Sequence, residues 1–320
     1  MLNQSAIEIT ILLATYNGAK YVGEQIDSIL QQTHTNWRLL IRDDKSTDAT
    51  PQIIADYQSR YPHKIVVVED SLSNLGGTLN FGVLLQKAKN AEYIMLCDQD
   101  DFWLPDKIEV TLAEMLRLER QYGREFPLLV HTNFHYVNSN LKVIKSREDF
   151  QATKIVDLNL CHLLAQNPVY GCTMMINNKL VLTIDGIPAI AENHDYWVAM
   201  VASAFGKISY LHKKTILYRQ HGANLSGSYS DNSIVNRFRR NIVQGKSLQD
   251  ARYKVKMAEI FKKKYLSLLS NNQIMVIDDF MDFSKNKHLS SVFKNLANGV
   301  RRQTRMQTLL FYVSAYLTNQ

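Results

Sequence analysis

The sequence predicts an α/β fold with a mainly parallel sheet flanked by helices, followed by a basic helical C-terminal region. Three observations carry that expectation. Short β-branched apolar runs alternate with amphipathic stretches as far as Gly123, the rhythm of βα units joined by right-handed crossovers. Clusters of carboxylates and amides follow the strands, which places candidate ligand loops at one end of the sheet. The charge is uneven: residues 226–320 hold 16 Lys+Arg against 6 Asp+Glu, while the remainder holds 21 against 24, so the net +7 belongs to the tail.

Ile7 to Ala14 reads as a buried strand running into Thr15-Tyr16-Asn17-Gly18, and a helix from about Lys20 to Gln31 gathers Val22, Ile26, Ile29 and Leu30 on one face. The next strand, Trp37 to Ile41, enters Arg42-Asp43-Asp44-Lys45-Ser46-Thr47-Asp48. Thr50-Pro51 then supplies an N-cap and a first-turn proline for the following helix. A third strand over Lys64 to Val68 and the loop Ser73-Asn74-Leu75-Gly76-Gly77 lead to a helix from about Thr78 to Lys89. Tyr93 to Cys97 is the next strand. Pro105 opens an amphipathic helix carrying Ile108, Leu112, Met115 and Leu116, which Gly123 stops. Leu128 to Val137 is a further strand. Beyond it the pattern is less regular: Asp157–Leu164 reads as helix, Pro168–Ile176 as strand, and Glu192 to Trp197 as the head of another helix. Strand-like alternation ceases after about Gly227, so the expected domains are 1–226, divided near residue 104, and 227–320.

At 320 residues and 46 % apolar content the chain suits one large domain with an appendage. No apolar run approaches the roughly 20 residues of a membrane span, and Met1 to Ser5 lacks the pattern of a secretion signal. Three cysteines, Cys97, Cys161 and Cys172, have no metal-ligand spacing and fit a reducing cytoplasm. A basic tail suits an anionic membrane surface or nucleic acid. Nucleic acid is disfavoured, since no helix-turn-helix, zinc-finger or RNA-binding signature is present.

Asp98-Gln99-Asp100-Asp101 lies between the apolar run Tyr93–Cys97 and Phe102-Trp103-Leu104-Pro105. Carboxylates at the end of a buried strand need a compensating cation, and hard divalent ions such as Mg²⁺ or Mn²⁺ suit them, commonly bridging to phosphate. The alternative is a solvated acidic loop capping the helix at Pro105. The first turn lacks Gly-x-Gly-x-x-Gly, and no P-loop occurs, so neither common nucleotide fingerprint applies. Turn and capping work is the alternative for Asp43, Asp44 and Asp48.

The set Ala-Thr-Tyr-Asn-Gly, Arg-Asp-Asp-x-Ser-Thr-Asp, Asn-Leu-Gly and Asp-Gln-Asp-Asp-x-Trp-x-Pro-Asp-Lys, in this order over about residues 7–225, resembles the inverting family 2 glycosyltransferases of GT-A, Rossmann-like fold. His194-Asp195-Tyr196-Trp197 and Tyr218-Arg219-Gln220-His221 resemble the bacterial rhamnosyltransferase branch. The resemblance implies that Thr15, Tyr16, Asn17, Asp43, Asn74, Gly76, Gln99 and Arg219 bind the donor. It implies that Asp98 and Asp100, with His221 as a further ligand, hold a divalent metal against the donor diphosphate, Asp98 thereby also meeting the donor. Asp101 is left to helix capping or a sugar contact. Asp195 is implied as the single general base that an inverting displacement needs, its alternative being a helix cap; Trp103, Gly171, His194 and Trp197 fall on the acceptor side.

The resulting expectation is a cytoplasmic enzyme, peripheral at the inner face of the membrane, that moves rhamnose from dTDP-rhamnose to a lipid-linked glycan. A UDP-hexose donor is the alternative within the class. A non-catalytic nucleotide-sugar-binding protein and a phosphohydrolase using Asp98, Asp100 and Asp101 are the alternatives outside it. The tail is expected either to lie on the anionic surface, through Arg301, Arg302, Arg305 and the patch Leu309–Val313, or to pack as an appendage or homo-oligomer contact.

Overall fold

The computed structural model describes residues 4–146, 158–221, 246–286 and 289–317. The chain divides into two compact units. The first comprises residues 1–149, 169–202 and 206–219, and the second 150–168, 203–205 and 220–320. The expected boundary at residue 226 lies outside the described residues.

The first unit is built on one mixed sheet. Strands β1 (Ile9–Thr15), β2 (Trp37–Asp43), β3 (Ile65–Val67) and β4 (Tyr93–Asp98) run parallel, with β1 between β2 and β4. Helices α1 (Val22–Leu30), α2 (Thr50–Arg60) and α3 (Gly77–Lys87) make the crossovers. The strands read as apolar runs because both faces are covered: Ile9, Ile11, Leu12 and Leu13 are all fully buried, as are Tyr93 through Cys97. α1 buries Val22, Ile26 and Ile29, the stripe its spacing predicts.

The parallel half continues through antiparallel pairing. β8 (Met174–Asn177) lies between β4 and β6 (Leu128–Val137), antiparallel to both, and β9 (Lys207–Arg219) runs parallel to β6. The short β5 (Phe102–Trp103) closes the order β3-β2-β1-β4-β8-β6-β9-β5, and β7 (Val143–Ser146) pairs with β6. α4 (Lys107–Tyr122) packs Ile108, Leu112, Met115 and Leu116 inward and ends at Gly123, whose φ of +90° suits a residue without a Cβ. The expected strand over Pro168–Ile176 is a 3₁₀ turn at Gly171–Thr173 followed by β8.

In the second unit α5 (Leu160–Ala165) joins four tail helices, whose ranges are Lys246–Tyr265, Asn271–Asn286, Leu289–Ala297 and Arg305–Leu317. Phe261, Phe280, Phe283, Phe311 and Tyr312 are buried within it, with Phe280 stacked on Phe311 at 6.2 Å. The described tail helices therefore have an aromatic core within this unit. No helix among the described residues is long and apolar enough to cross a membrane.

Candidate active site

Register alone brings the ligand loops together. Thr15 at the end of β1 stands opposite Asp43 at the end of β2, and Ala14 stands opposite Asp98 at the end of β4. The loops beyond these ends are cross-linked. The Thr15 hydroxyl donates to Asp43 Oδ1 at 2.9 Å, and Asp43 also accepts from the Ser46 hydroxyl at 2.6 Å and the Ser46 N–H at 2.8 Å. Asn17 holds a left-handed φ of +47° and takes the Thr47 N–H on its side-chain oxygen. Gln99 binds both backbone groups of Tyr16, accepting from its N–H at 2.9 Å and donating to its carbonyl at 3.0 Å, while the Tyr16 ring is 48 % exposed. A Cβ on Gly18 would stand 2.2 Å from Gln99 Oε1, which explains the glycine.

Asp44 is a framework residue, in keeping with its turn reading. It is buried, pairs with Arg42 Nη1 at 2.8 Å, and accepts from the N–H groups of Leu75 and Gly76. Asn74 donates its side-chain amide to the Asp44 carbonyl. The Asn74 and Gly76 polar groups thus shape the loop. Asp48 likewise caps, accepting from the N–H groups of Thr50 and Ala19.

The acids lie where β4 ends. Asp98 is half-buried, and burial first, then Asp100 and Asp195, push its carboxyl up to about 7. Asp101 is fully buried, with Oδ1 accepting the Arg219 N–H at 3.1 Å and Oδ2 without a hydrogen-bond partner. Burial and its neighbours Asp100 and Asp98 raise it well above the carboxylate range. Ligand atoms of Asp98, Asp101 and Cys172 all lie within 4.8 Å of one another. The Cys172 thiol, itself pushed up by burial and then by Asp101 and Asp98, stands among these acids. Clustered acids that resist ionising, one with a buried oxygen that has no hydrogen-bond partner, are a set that a divalent cation would stabilise in its charged form, so the residues fit one.

Asp195 joins this centre from the first turn of α6 (His194–Phe205). Its Oδ2 accepts the Gly171 N–H at 3.1 Å, and its charge is felt at Asp98. A Cβ on Gly171 would meet His194 Nε2 at 2.5 Å and Asp195 Cβ at 3.5 Å, so the glycine lets the turn approach the acid. His194 stacks on Phe81 at 3.8 Å, and burial lowers its pKa to about 3, leaving it neutral.

Several expected roles are corrected. Arg219 is 1 % exposed and engaged in the framework: Nε donates to the Asp100 carbonyl at 2.8 Å, Nη1 to the Ser139 carbonyl at 2.5 Å and Nη2 to Glu24 at 2.6 Å, with the guanidinium 4.3 Å from the Tyr21 ring centre. It braces the acid loop from a buried position, with each of its three nitrogens engaged in the framework. Trp103 and Trp197 are fully buried, Trp103 within the main apolar core, so neither presents a face to an acceptor. Among the described residues, the side-chain ligand atoms that converge are those of Asp98, Asp101 and Cys172. Lys107 went unremarked at the sequence level as a site residue. It is fully buried 4.6 Å from the Trp103 ring centre, and burial lowers its pKa to about 8 against the opposing pull of Cys172, Cys97 and Asp101.

The geometry defines a GT-A fold, and the comparisons agree. The structure is similar to Staphylococcus aureus TarS residues 1–349 in complex with UDP (TM-score 0.56, 16 % identity, 97 % of this chain and 88 % of that one). It is also similar to the mannosyltransferase PcManGT of Pyrobaculum calidifontis with GDP-Man and Mn²⁺ (TM-score 0.53, 17 % identity, 97 % and 86 %). Residues 10–142 match the model of the family described as Glycosyl transferase family 2. The chain is 29 % identical over 231 residues to the dTDP-rhamnosyl transferase RfbG of Shigella flexneri, covering 67 % of this chain and 75 % of that protein. It is 25 % identical over 197 residues to the UDP-Glc:alpha-D-GlcNAc-diphosphoundecaprenol beta-1,3-glucosyltransferase WfgD of Escherichia coli, covering 60 % and 69 %. Across the relatives compared, the alignments span from 62 to 75 % of their own lengths.

Proposed function

We propose that this chain is an inverting glycosyltransferase that moves a sugar, rhamnose from dTDP-rhamnose, onto a lipid-linked glycan. The observation that carries the reading is a carboxylate fixed by a backbone N–H beside the β4 acids: Asp195 Oδ2 on Gly171, within electrostatic reach of Asp98. In a single displacement the acceptor oxygen forms the bond to the anomeric carbon as the bond to the diphosphate oxygen breaks. The hydroxyl proton passes to Asp195, and the electron pair leaves with the nucleoside diphosphate. Asp98, with Asp100 and Asp101 beside it, would hold the divalent ion, which supplies charge stabilisation to the leaving diphosphate. Tyr16, pinned through its backbone by Gln99, offers an exposed ring for the nucleobase near Asp43 and Thr15.

The similarity to a dTDP-rhamnosyl transferase favours that donor. The similarity to an enzyme whose name specifies UDP-Glc keeps a UDP-hexose as the second reading. That relative's diphosphoundecaprenol acceptor supports a lipid-linked one here. The tail fits such a location at the inner membrane face: on its last helix Met306, Leu309 and Val313 are 65 %, 59 % and 43 % exposed at helical spacing while Phe311 and Tyr312 face inward. Arg301 and Arg305 precede this stripe in the sequence.

The reading is tested by incubating the protein and Mg²⁺ with dTDP-rhamnose or UDP-glucose and a membrane lipid extract, then analysing products by NMR. A glycoside of inverted anomeric configuration with one equivalent of nucleoside diphosphate is expected. Release of sugar phosphate or inorganic phosphate would instead make the chain a phosphohydrolase, and binding without turnover a carrier.

A further inference from the structure

The residue before Asp195 makes contacts that neither the donor nor the metal chemistry uses. The His194 ring lies on Phe81, with ring centroids 3.8 Å apart and planes inclined by 25°. Its edge meets the 3₁₀ turn: a Cβ on Gly171 would stand 2.5 Å from His194 Nε2 and 3.2 Å from Cε1. The ring therefore fills the space that a side chain at 171 would need. The Gly171 N–H in turn donates to Asp195 Oδ2 at 3.1 Å. Phe81, Gly171, His194 and Asp195 all belong to the first unit.

The ring acts by shape. Buried polar atoms are normally hydrogen-bonded, yet His194 Nε2 is buried without a hydrogen-bond partner. Gly171 does not hold a left-handed φ, so the glycine answers the approach of the ring and not a backbone conformation. The backing of the ring is itself fixed. Phe81 is buried on α3 beside Asn80, whose amide donates to the Arg42 carbonyl at 3.2 Å and whose oxygen accepts from Arg42 Nη1 at 3.1 Å. Arg42 lies on β2 directly before Asp43, so the Phe81 ring is tied to the strand end that carries a donor-side acid.

We propose that His194 is a positioning residue: backed by Phe81, its ring wedges Gly171 in place, so that the Gly171 N–H holds the Asp195 carboxylate where it takes the acceptor proton. The proposal rests on the transferase reading and adds to it what aims the base. A displacement of about 1 Å can cost about 10²-fold in rate, so loss of the wedge acts on turnover and leaves nucleotide binding intact.

The test labels the full chain with ¹³C-carbonyl tyrosine and ¹⁵N-glycine. Tyr-Gly occurs at 122–123 and 170–171, so a carbonyl-filtered spectrum holds two amide signals. The Gly171 signal is the one that moves in Asp195→Asn, and the Gly123 signal reports on the fold. In His194→Ala the Gly171 signal is expected to shift toward its Asp195→Asn position, with the Gly123 signal unmoved. Phe81→Leu, which keeps apolar bulk but loses the stack, decides the matter where His194→Ala does not fold. Turnover of the nucleotide sugar with Mg²⁺ and a membrane lipid extract should fall at least tenfold in His194→Ala, with KM for the nucleotide sugar and calorimetric affinity for dTDP or UDP within twofold. His194→Phe, which keeps the ring, should restore the Gly171 signal and bring turnover to within threefold of wild type. An unmoved Gly171 signal in His194→Ala overturns the wedge, as does a moved signal with undiminished turnover. A His194→Phe variant as impaired as His194→Ala overturns it by showing that the ring acts through a nitrogen. Nucleotide affinity lost together with turnover shows a general structural role and also overturns it. A wild type that binds no nucleotide and transfers no sugar overturns the transferase reading, and with it any base for His194 to aim, whatever the Gly171 signal does.

Discussion

Replacing Arg219 by methionine tests whether this side chain braces the acid loop or binds the donor. The guanidinium donates to two backbone carbonyls, of Asp100 and Ser139, from a position 1 % exposed. Hydrogen bonds to a charged group contribute about 1.5–3 kcal/mol each, so these two arms together are worth about 3–6 kcal/mol. The arm to Glu24, itself 54 % exposed, adds at most about 1 kcal/mol. Methionine recovers part of the apolar packing over Tyr21, and the net expectation is a loss of about 3–4 kcal/mol. Trp37, Trp103 and Trp197 all belong to the first unit, so tryptophan fluorescence during urea unfolding reports on this unit. The midpoint should fall by about 1–2 M urea, given a slope of about 2–3 kcal/mol per M. An unchanged midpoint together with a tenfold weaker affinity for dTDP or UDP would refute the bracing role and restore the phosphate contact.

Asp195→Asn should lower transfer by about 10²–10⁴-fold, the usual contribution of a general base, while nucleotide affinity by calorimetry stays within about twofold; near wild-type turnover removes Asp195 from the mechanism. Asp98 sets a pH dependence. Its folded pKa, raised to about 7 by burial and then Asp100 and Asp195, lies above its ordinary value, so the metal-free protein holds a proton there that the unfolded chain has released. The site's stability contribution is full below about pH 4 and is lost as the pH rises through about 7. Mn²⁺ must displace that proton, so Mn²⁺ affinity by calorimetry should rise with pH up to about 7 and flatten above it; an affinity constant from pH 5.5 to 8 contradicts the assignment. Met306→Glu with Leu309→Glu should abolish co-sedimentation with anionic liposomes while leaving the fold intact, because both side chains face outward; undiminished binding removes the stripe from membrane contact.

The sequence made the parallel half of the sheet readable because each strand there is a continuous apolar run followed by its own polar loop. Thr15, Asn17, Asp43 and Gln99 cluster as the order of motifs implies, since adjacent parallel strands bring successive loops to one edge. β9 was harder to read: His212, Lys213 and Lys214 interrupt its apolar pattern, and only the pairing with β6 reveals thirteen residues of strand. The misplaced side chains share a cause. Arg219 finds Glu24 across 195 residues of sequence and Ser139 across 80, distances over which composition says nothing about who meets whom. Trp103 follows the acidic loop, and the resemblance puts it on the acceptor side, yet β5 turns it into the core. Cys172 joins Asp98 and Asp101 only because the 3₁₀ turn at Gly171–Thr173 leads into β8, the strand beside β4.

Metal-dependent binding of a nucleoside diphosphate probes the acidic centre most directly. Calorimetric titration of dTDP and UDP into wild type with Mn²⁺, wild type with EDTA, and Asp98→Asn with Mn²⁺ should give saturable binding in the first case and at least a tenfold loss in the other two. Equal affinity in all three would mean that the acids at the end of β4 hold no ion against a diphosphate.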